Sequence, residues 1–210
     1  MNLNGLCANF LGDSITEPYG TTAPEKAFHH IIKEKCGLKS VYNYGIGGTR
    51  IARQIAPSEN TKFDLTFEIR SVTMNKEADL IVVFGGTNDY GHGDAEFGDT
   101  NSRDRYTFCG ALNCLIETLK ANFPKSKLVF MTPIHRENET IPCAEGKKTL
   151  PEYVEAMREI FKNHNVAVID LFELNPIDVT NKELLPDGLH PSDKGHEILA
   201  EVVAKELLDI

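Results

Sequence analysis

Apolar and polar positions along the chain alternate between two periods. Five short apolar runs read as strands: Cys7–Leu11, ending at Gly12, then Ser40–Tyr44, Asp79–Phe84, Lys127–Thr132 and Val166–Asp170. Asp79–Phe84 (DLIVVF) is almost uniformly apolar, the pattern of a strand covered on both faces. Between these runs the period becomes helical. Pro24–Cys36 places Ala27, Ile31 and Ile32 on one face, and Leu65–Lys76 reads as a weaker helix. Arg105–Asn122 carries an apolar stripe of Phe108, Leu112, Leu115, Ile116 and Leu119. Thr149 and Glu152 have capping-box spacing ahead of a helix with Tyr153, Val154, Met157, Ile160 and Phe161 on one face. Ser192 is the expected N-cap of a last helix that buries Ile198, Leu199, Val202, Val203 and Leu207.

Strands alternating with helices predict an α/β fold, a five-stranded parallel sheet with helices on both faces. Ligands in such folds sit beyond the carboxyl ends of the strands. The segments to inspect are therefore Gly12–Thr16, Gly45–Arg50, Gly85–His92, Pro133–Asn138 and the chain after Asp170.

Composition narrows the function. A chain of 210 residues suits one domain, expected to span 1–210. Lys and Arg number 22 against 31 Asp and Glu, a net charge of −9, which argues against a nucleic-acid partner. No apolar stretch approaches the roughly 18 residues of a membrane span, and no signal peptide is visible. The five cysteines include no CxxC pair, so reduced thiols and a cytoplasmic protein are expected. Neither nucleic acid nor a membrane is expected as a partner; homo-oligomerisation stays open.

Four short blocks carry candidate chemistry: Gly12-Asp13-Ser14, Asn43 to Gly48, Gly86-Thr87-Asn88-Asp89, and Asp187-Gly188-Leu189-His190-Pro191. Singly, each has a plain explanation as a helix cap, a turn glycine, a loop hydrogen bonder or surface polarity. Together they supply the parts of acyl transfer. A serine hydroxyl needs a base to take its proton, and His190 can be that base. Asp187 can fix the imidazole tautomer and stabilise the imidazolium. The N–H groups of Ser14 and Gly48 and the Asn88 amide can stabilise the oxyanion. Ser14 is also expected to open a helix whose positive end favours negative charge.

These blocks resemble the SGNH, or GDSL-type, hydrolase family, in the family's order and over residues 12 to 191. The resemblance implies a three-layer α/β/α sandwich of flavodoxin-like architecture and a serine hydrolase of esters or thioesters that needs no metal or other cofactor. It implies Ser14 as nucleophile, Asp187 and His190 as its partners, and Ser14, Gly48 and Asn88 as the oxyanion hole. Gly45 and Gly47 compete with Gly48 for that role; counting from Asn43 through the family's N-x-G-x-x-G stretch favours Gly48.

Other motifs fall away. Gly45–Arg50 is not GxGxxG because Arg50 ends it, and no P-loop or EF-hand spacing occurs. A metal site of Asp13, Asp89, Asp187 and His190 lacks the usual ligand spacings. Asp13 and Asp89 are expected to hold their loops by accepting backbone N–H bonds, with Asp13 also a candidate substrate contact. The polar stretches Asp89–Arg105 and Thr132–Lys148 follow two strands and are expected to wall the site. Tyr90, His92 and His135 are candidate substrate contacts there, Arg136 lies beside His135, and Arg50 could meet a substrate carboxylate or phosphate. His29, His30, His164 and His196 read as scaffold. Polar loops without an amphipathic lid favour a short acyl ester of a small polar substrate such as an acetylated carbohydrate. The alternatives are a thioesterase or lysophospholipase, and a non-enzymatic binding module on the same scaffold.

Overall fold

The apolar runs form strands that pair side by side. The computed structural model describes residues 1–210. Its strands are β1 (Cys7–Gly12), β2 (Ser40–Gly45), β3 (Leu80–Phe84), β4 (Lys127–Met131) and β5 (Ala167–Ile169). All pair in parallel, in the order β2-β1-β3-β4-β5. The helices are α1 (Phe28–Cys36), α2 (Phe67–Ser71), α3 (Thr87–His92), α4 (Phe108–Asn122), α5 (Leu150–Asn163), α6 (Leu171–Leu174) and α7 (Asp193–Asp209).

Each central strand serves two cores because successive side chains point to opposite faces. Leu11, Ile81, Val83 and Phe130 pack with residues of α2, α4 and α5. Phe10, Leu80, Val82, Phe84 and Val129 pack with residues of α1 and α7. Burying each large side chain contributes about 1.5–3 kcal/mol, and this two-sided demand makes β3 apolar throughout. The expected sandwich of sheet between two helical layers is present.

The register brings the functional blocks to one edge. Gly45 pairs with Gly12, Gly12 with Phe84, Phe84 with Met131, and Met131 with Ile169. The segments after these residues all emerge along the carboxyl edge of the sheet. The chain reverses its winding between β1 and β3, the switch point at which α/β sheets bind ligands.

Several elements differ from the expected ones. The 24–36 helix is interrupted: Pro24–Lys26 is a 3-10 turn, Ala27 is extended, and α1 begins at Phe28. The expected Leu65–Lys76 helix shrinks to α2, where the Ser71 and Thr73 hydroxyls donate back to the Glu68 and Arg70 carbonyls and compete with the helical ladder. The Arg105–Asn122 helix starts at Phe108 because Thr107 caps it, accepting the Gly110 N–H. Helices α3 and α6 have no counterpart in the sequence pattern; α3 is polar and gives no apolar stripe. No helix is long and apolar enough to cross a membrane. All five cysteines are free thiols, Cys109 and Cys114 buried.

Candidate active site

The segment after β1 is a series of turns, not the helix expected at Ser14. The Glu17 N–H donates to the Asp13 carbonyl at 2.9 Å and the Tyr19 N–H to the Ser14 carbonyl at 2.7 Å. This tight wrap holds Ser14 at the sheet edge, nearly buried. Its Oγ lies 2.8 Å from Nε2 of His190. Nδ1 of His190 lies 2.7 Å from Oδ2 of Asp187. The other Asp187 oxygen accepts the N–H groups of Leu189 and His190 at 3.0 and 2.7 Å. Burial pushes the Asp187 carboxyl up, but these donors and the imidazole outweigh it and hold it below the usual carboxylate range. The carboxylate is thereby kept as the acceptor facing Nδ1.

The first and last blocks therefore meet, although Ser14 and His190 are distant in sequence. A hydroxyl bonded to an imidazole, itself bonded to a carboxylate, is the arrangement that activates a serine for attack on an acyl carbon.

The glycines of the second block are separated by their hydrogen bonds. The Gly45 N–H donates to Asn43 Oδ1 at 2.7 Å and the Gly47 N–H to Glu17 Oε2 at 2.6 Å. The amides of Gly48 and Ser14 meet no protein acceptor. Gly48 has φ +74°, and a Cβ there would come within 2.2 Å of the Phe63 ring, so backbone conformation and space both require glycine. Asn88 is buried at the start of α3 and donates from Nδ2 to the Thr49 carbonyl at 3.0 Å. The second N–H of that amide stays available.

The carboxylates beside these donors face backbone amides. Asp89 accepts the N–H groups of Ile51 and Ala52 at 3.0 and 2.9 Å, clamping the chain after Gly48 against α3. Asp13 accepts the Ile15 N–H at 3.1 Å. Burial pushes Asp13 up to about 7 and Asp89 up to about 6. No group of three acidic, His or Cys side chains is placed to hold a metal ion.

Most of the expected substrate contacts are occupied elsewhere. Arg50 is buried, ion-paired with Asp64 at 3.3 Å and bonded to Ser58 and the His92 carbonyl. It braces the loop after β2 and is not open to a substrate anion. Tyr90 is also buried, its hydroxyl 2.6 and 2.8 Å from the carbonyls of Asn138 and Ile141, so it secures the loop after β4. His135 has Nδ1 on Glu139 at 2.7 Å and Nε2 on the Phe172 carbonyl at 2.9 Å, with its ring against Phe172. All three side chains are engaged within the fold, Arg50 by the loop after β2, Tyr90 by the loop after β4, and His135 by Glu139 and Phe172. His92 is exposed, with its ring 5.8 Å from that of Phe63, the residue packed on Gly48. Desolvation of the ring, then Arg50 and Arg136, push its pKa down, so it is neutral.

Other residues at the site gave no local signal in the sequence. The Tyr19 ring lies 4.6 Å from that of His190. Arg70, buried and far from the blocks in sequence, donates to the carbonyls of Tyr44, Leu65 and Gly12 and to the Thr49 hydroxyl. It ties the ends of β1 and β2 to the chain that follows Gly48. The scaffold histidines include His29, bonded to the Thr16 carbonyl at 3.1 Å, and His196, which accepts the Phe28 N–H at 3.3 Å.

Residues 10–198 match the GDSL-like Lipase/Acylhydrolase family. The chain belongs to this family. Its members are acyl-ester hydrolases, and this protein is an ester hydrolase of that kind. One solved structure is 32% identical, with a TM-score of 0.85 and coverage of 100% of this chain and 99% of the other. A protein from Lactobacillus plantarum is 25% identical, with a TM-score of 0.81 and coverage of 98% and 97%. A two-domain esterase active on acetylated mannans is 20% identical, with a TM-score of 0.66; the match covers 99% of this chain and 50% of that one. No curated protein matches the chain.

Proposed function

We propose that this GDSL-like hydrolase removes short acyl groups, acetyl first among them, from a small polar substrate such as an acetylated carbohydrate. The observation that carries the reading is the unbroken Ser14–His190–Asp187 chain, with contacts of 2.8 and 2.7 Å, beside the free amides of Ser14 and Gly48. Ser14 Oγ attacks the acyl carbon while His190 Nε2 takes its proton. Asp187 accepts the Nδ1–H and stabilises the imidazolium. The oxyanion receives hydrogen bonds from the Ser14 and Gly48 amides and the free Asn88 N–H. His190 then gives its proton to the leaving alcohol, and a water activated by the same imidazole releases the acyl group from Ser14.

The short acyl group is favoured by polar surroundings. The loops after β3 and β4 that flank the site are polar and carry no amphipathic lid to shelter a long alkyl chain. The likeness to the mannan esterase adds the sugar as the alcohol part. Five unpaired thiols favour a reducing, cytoplasmic setting.

A series of p-nitrophenyl esters and a panel of acetylated sugars, with Ser14→Ala as the blank, tests this. The acetate is expected to turn over faster than the octanoate. Preference for chains of eight carbons or more would assign the thioesterase or lysophospholipase reading. Failure of a fluorophosphonate probe to label Ser14 would assign a binding module.

A further inference from the structure

Two arginines at the sheet edge lack a counter-ion, and in Arg136, unlike Arg70, two of the three guanidinium nitrogens also lack any partner. Arg136 follows β4, and its guanidinium is seated on the first turn of α3. Nη1 is 3.1 Å from the Thr87 hydroxyl and 3.3 Å from the Thr87 carbonyl, and the charge lies over the Tyr90 ring, 5.3 Å from its centroid. Gly91 makes this seat possible, since a Cβ there would stand 2.9 Å from Nη1. Arg50, Arg105 and Arg158 each pair with a carboxylate. Arg136 pairs with none. Glu139, on its own loop, is turned to His135 and to the Arg136 backbone amide. Nε is buried without a hydrogen-bond partner, and Nη2 makes no hydrogen bond. Burial lowers the pKa of the group, the mark of a desolvation cost that no adjacent anion offsets.

Nη2, neither buried nor bonded, is the end open to a charge-assisted bond with a carboxylate, with Nε buried behind it. It also stands next to the chemistry. Thr87 precedes the oxyanion candidate Asn88. The Glu137 N–H donates to the Gly188 carbonyl at 2.9 Å, which fastens the Arg136 segment to the Asp187–His190 loop. Both Asp13 and Asp187 favour its charge through space.

We infer that Arg136 is a substrate-binding residue, and that the esters this site hydrolyses carry a carboxylate, as an acetylated acidic sugar does. The inference rests on the serine-esterase reading. It moves anion recognition from Arg50, which the fold consumes, to a cation seated on Thr87, the residue before Asn88. An arginine serving only to brace α3 would stabilise the protein without discriminating among esters.

The test compares 4-acetoxybenzoate with its neutral methyl ester. Arg136→Gln is expected to lower the ratio of kcat/KM for the anionic over the neutral ester about tenfold or more, mainly through KM, the scale of one lost charge-assisted contact. Arg136→Lys is expected to keep part of the preference. The ratio cancels any general damage to the site. An unchanged ratio in Arg136→Gln would overturn the inference. A larger fall for 4-acetoxyphenyl phosphate than for the benzoate would also overturn it, by reassigning the anion. Calorimetric titration of Ser14→Ala, with and without Arg136→Gln, by the same benzoate and its methyl ester reads the contact without turnover. There, tighter carboxylate binding that needs Arg136 supports the inference, and equal affinities refute it. Absent hydrolysis of both esters together with an unlabelled Ser14 is by contrast a failure of the esterase reading itself.

Discussion

Glu17 accepts the Gly47 N–H at 2.6 Å, and this bond fixes which glycine of the second block is left to face the substrate. Gly45 is held by Asn43, so the amide of Gly48 remains. The same carboxylate grows from the turn that carries Ser14. It thus couples the position of the nucleophile to that of an oxyanion donor.

Glu17→Ala should lower kcat on p-nitrophenyl acetate about tenfold while changing KM little. Loss of a whole oxyanion donor costs about 10²–10³, and here the donor is displaced and not removed. Glu17→Gln, whose amide oxygen can still accept, should recover most of the rate. Steady-state kinetics on the two variants checks this; equal losses would show that the charge and not the hydrogen bond matters.

Arg70→Met should both destabilise the protein and slow it. The substitution takes a donor from the carbonyls of Tyr44 and Leu65 and leaves Gly12 only the Ile46 N–H at 3.2 Å, and each unsatisfied buried acceptor costs about 1–3 kcal/mol. A loss of roughly 3 kcal/mol or more in denaturant unfolding is expected. The surviving folded fraction should show a lower kcat, because Thr49, which orients Asn88, loses its bond to Arg70.

Asp187→Asn should reduce kcat by up to about 10⁴, less than Ser14→Ala or His190→Ala. The aspartate orients and stabilises the imidazole but neither attacks nor carries the proton. Its lowered pKa keeps it ionised through the neutral range, so the wild-type rate should show no further loss from Asp187 protonation down to about pH 5. Full activity of Asp187→Asn would mean that another acceptor holds His190.

Stability should depend on pH through Asp13. Its carboxyl is raised by burial from the ordinary 3.8 to about 7 in the folded protein. The folded state therefore holds the proton more tightly than the unfolded chain. The associated stability is complete below pH 3.8 and is lost as pH rises through about 7. Asp13→Asn removes that dependence. Relative to the variant, the wild type should lose stability between pH 4 and pH 8, on the order of a few kcal/mol. His29 and His196, both lowered to about 4 by burial, contribute the opposite slope between pH 4 and 6.5. They are common to both proteins and cancel in the difference. Equal unfolding profiles across this range would show that Asp13 is ionised when folded.

Much of the fold was legible because its signals are local. The continuous apolar run of β3, the alternating faces of α4 and α5, and the caps at Thr149 and Ser192 each follow from residues a few positions apart. The missed elements lacked such signals: α3 is a polar helix held by Asp89 and by the packing of Tyr90, contacts with distant segments. The Ser14 turn differs from the expected helix start because its hydrogen bonds run to the Asp13 and Ser14 carbonyls without continuing into a regular ladder.

The amino-acid sequence by itself determined the periodicity of each element and the presence of four blocks able to carry acyl chemistry, since spacing and residue type are properties of the chain. Only the tertiary structure decided which polar groups remain open. Arg50, Tyr90 and His135 are spent on loop closure, while Gly48 and Arg136 keep unmatched donors. A hydrogen bond has no sequence signature when its partners lie on different strands, and every donor satisfied within the fold is one fewer for the substrate.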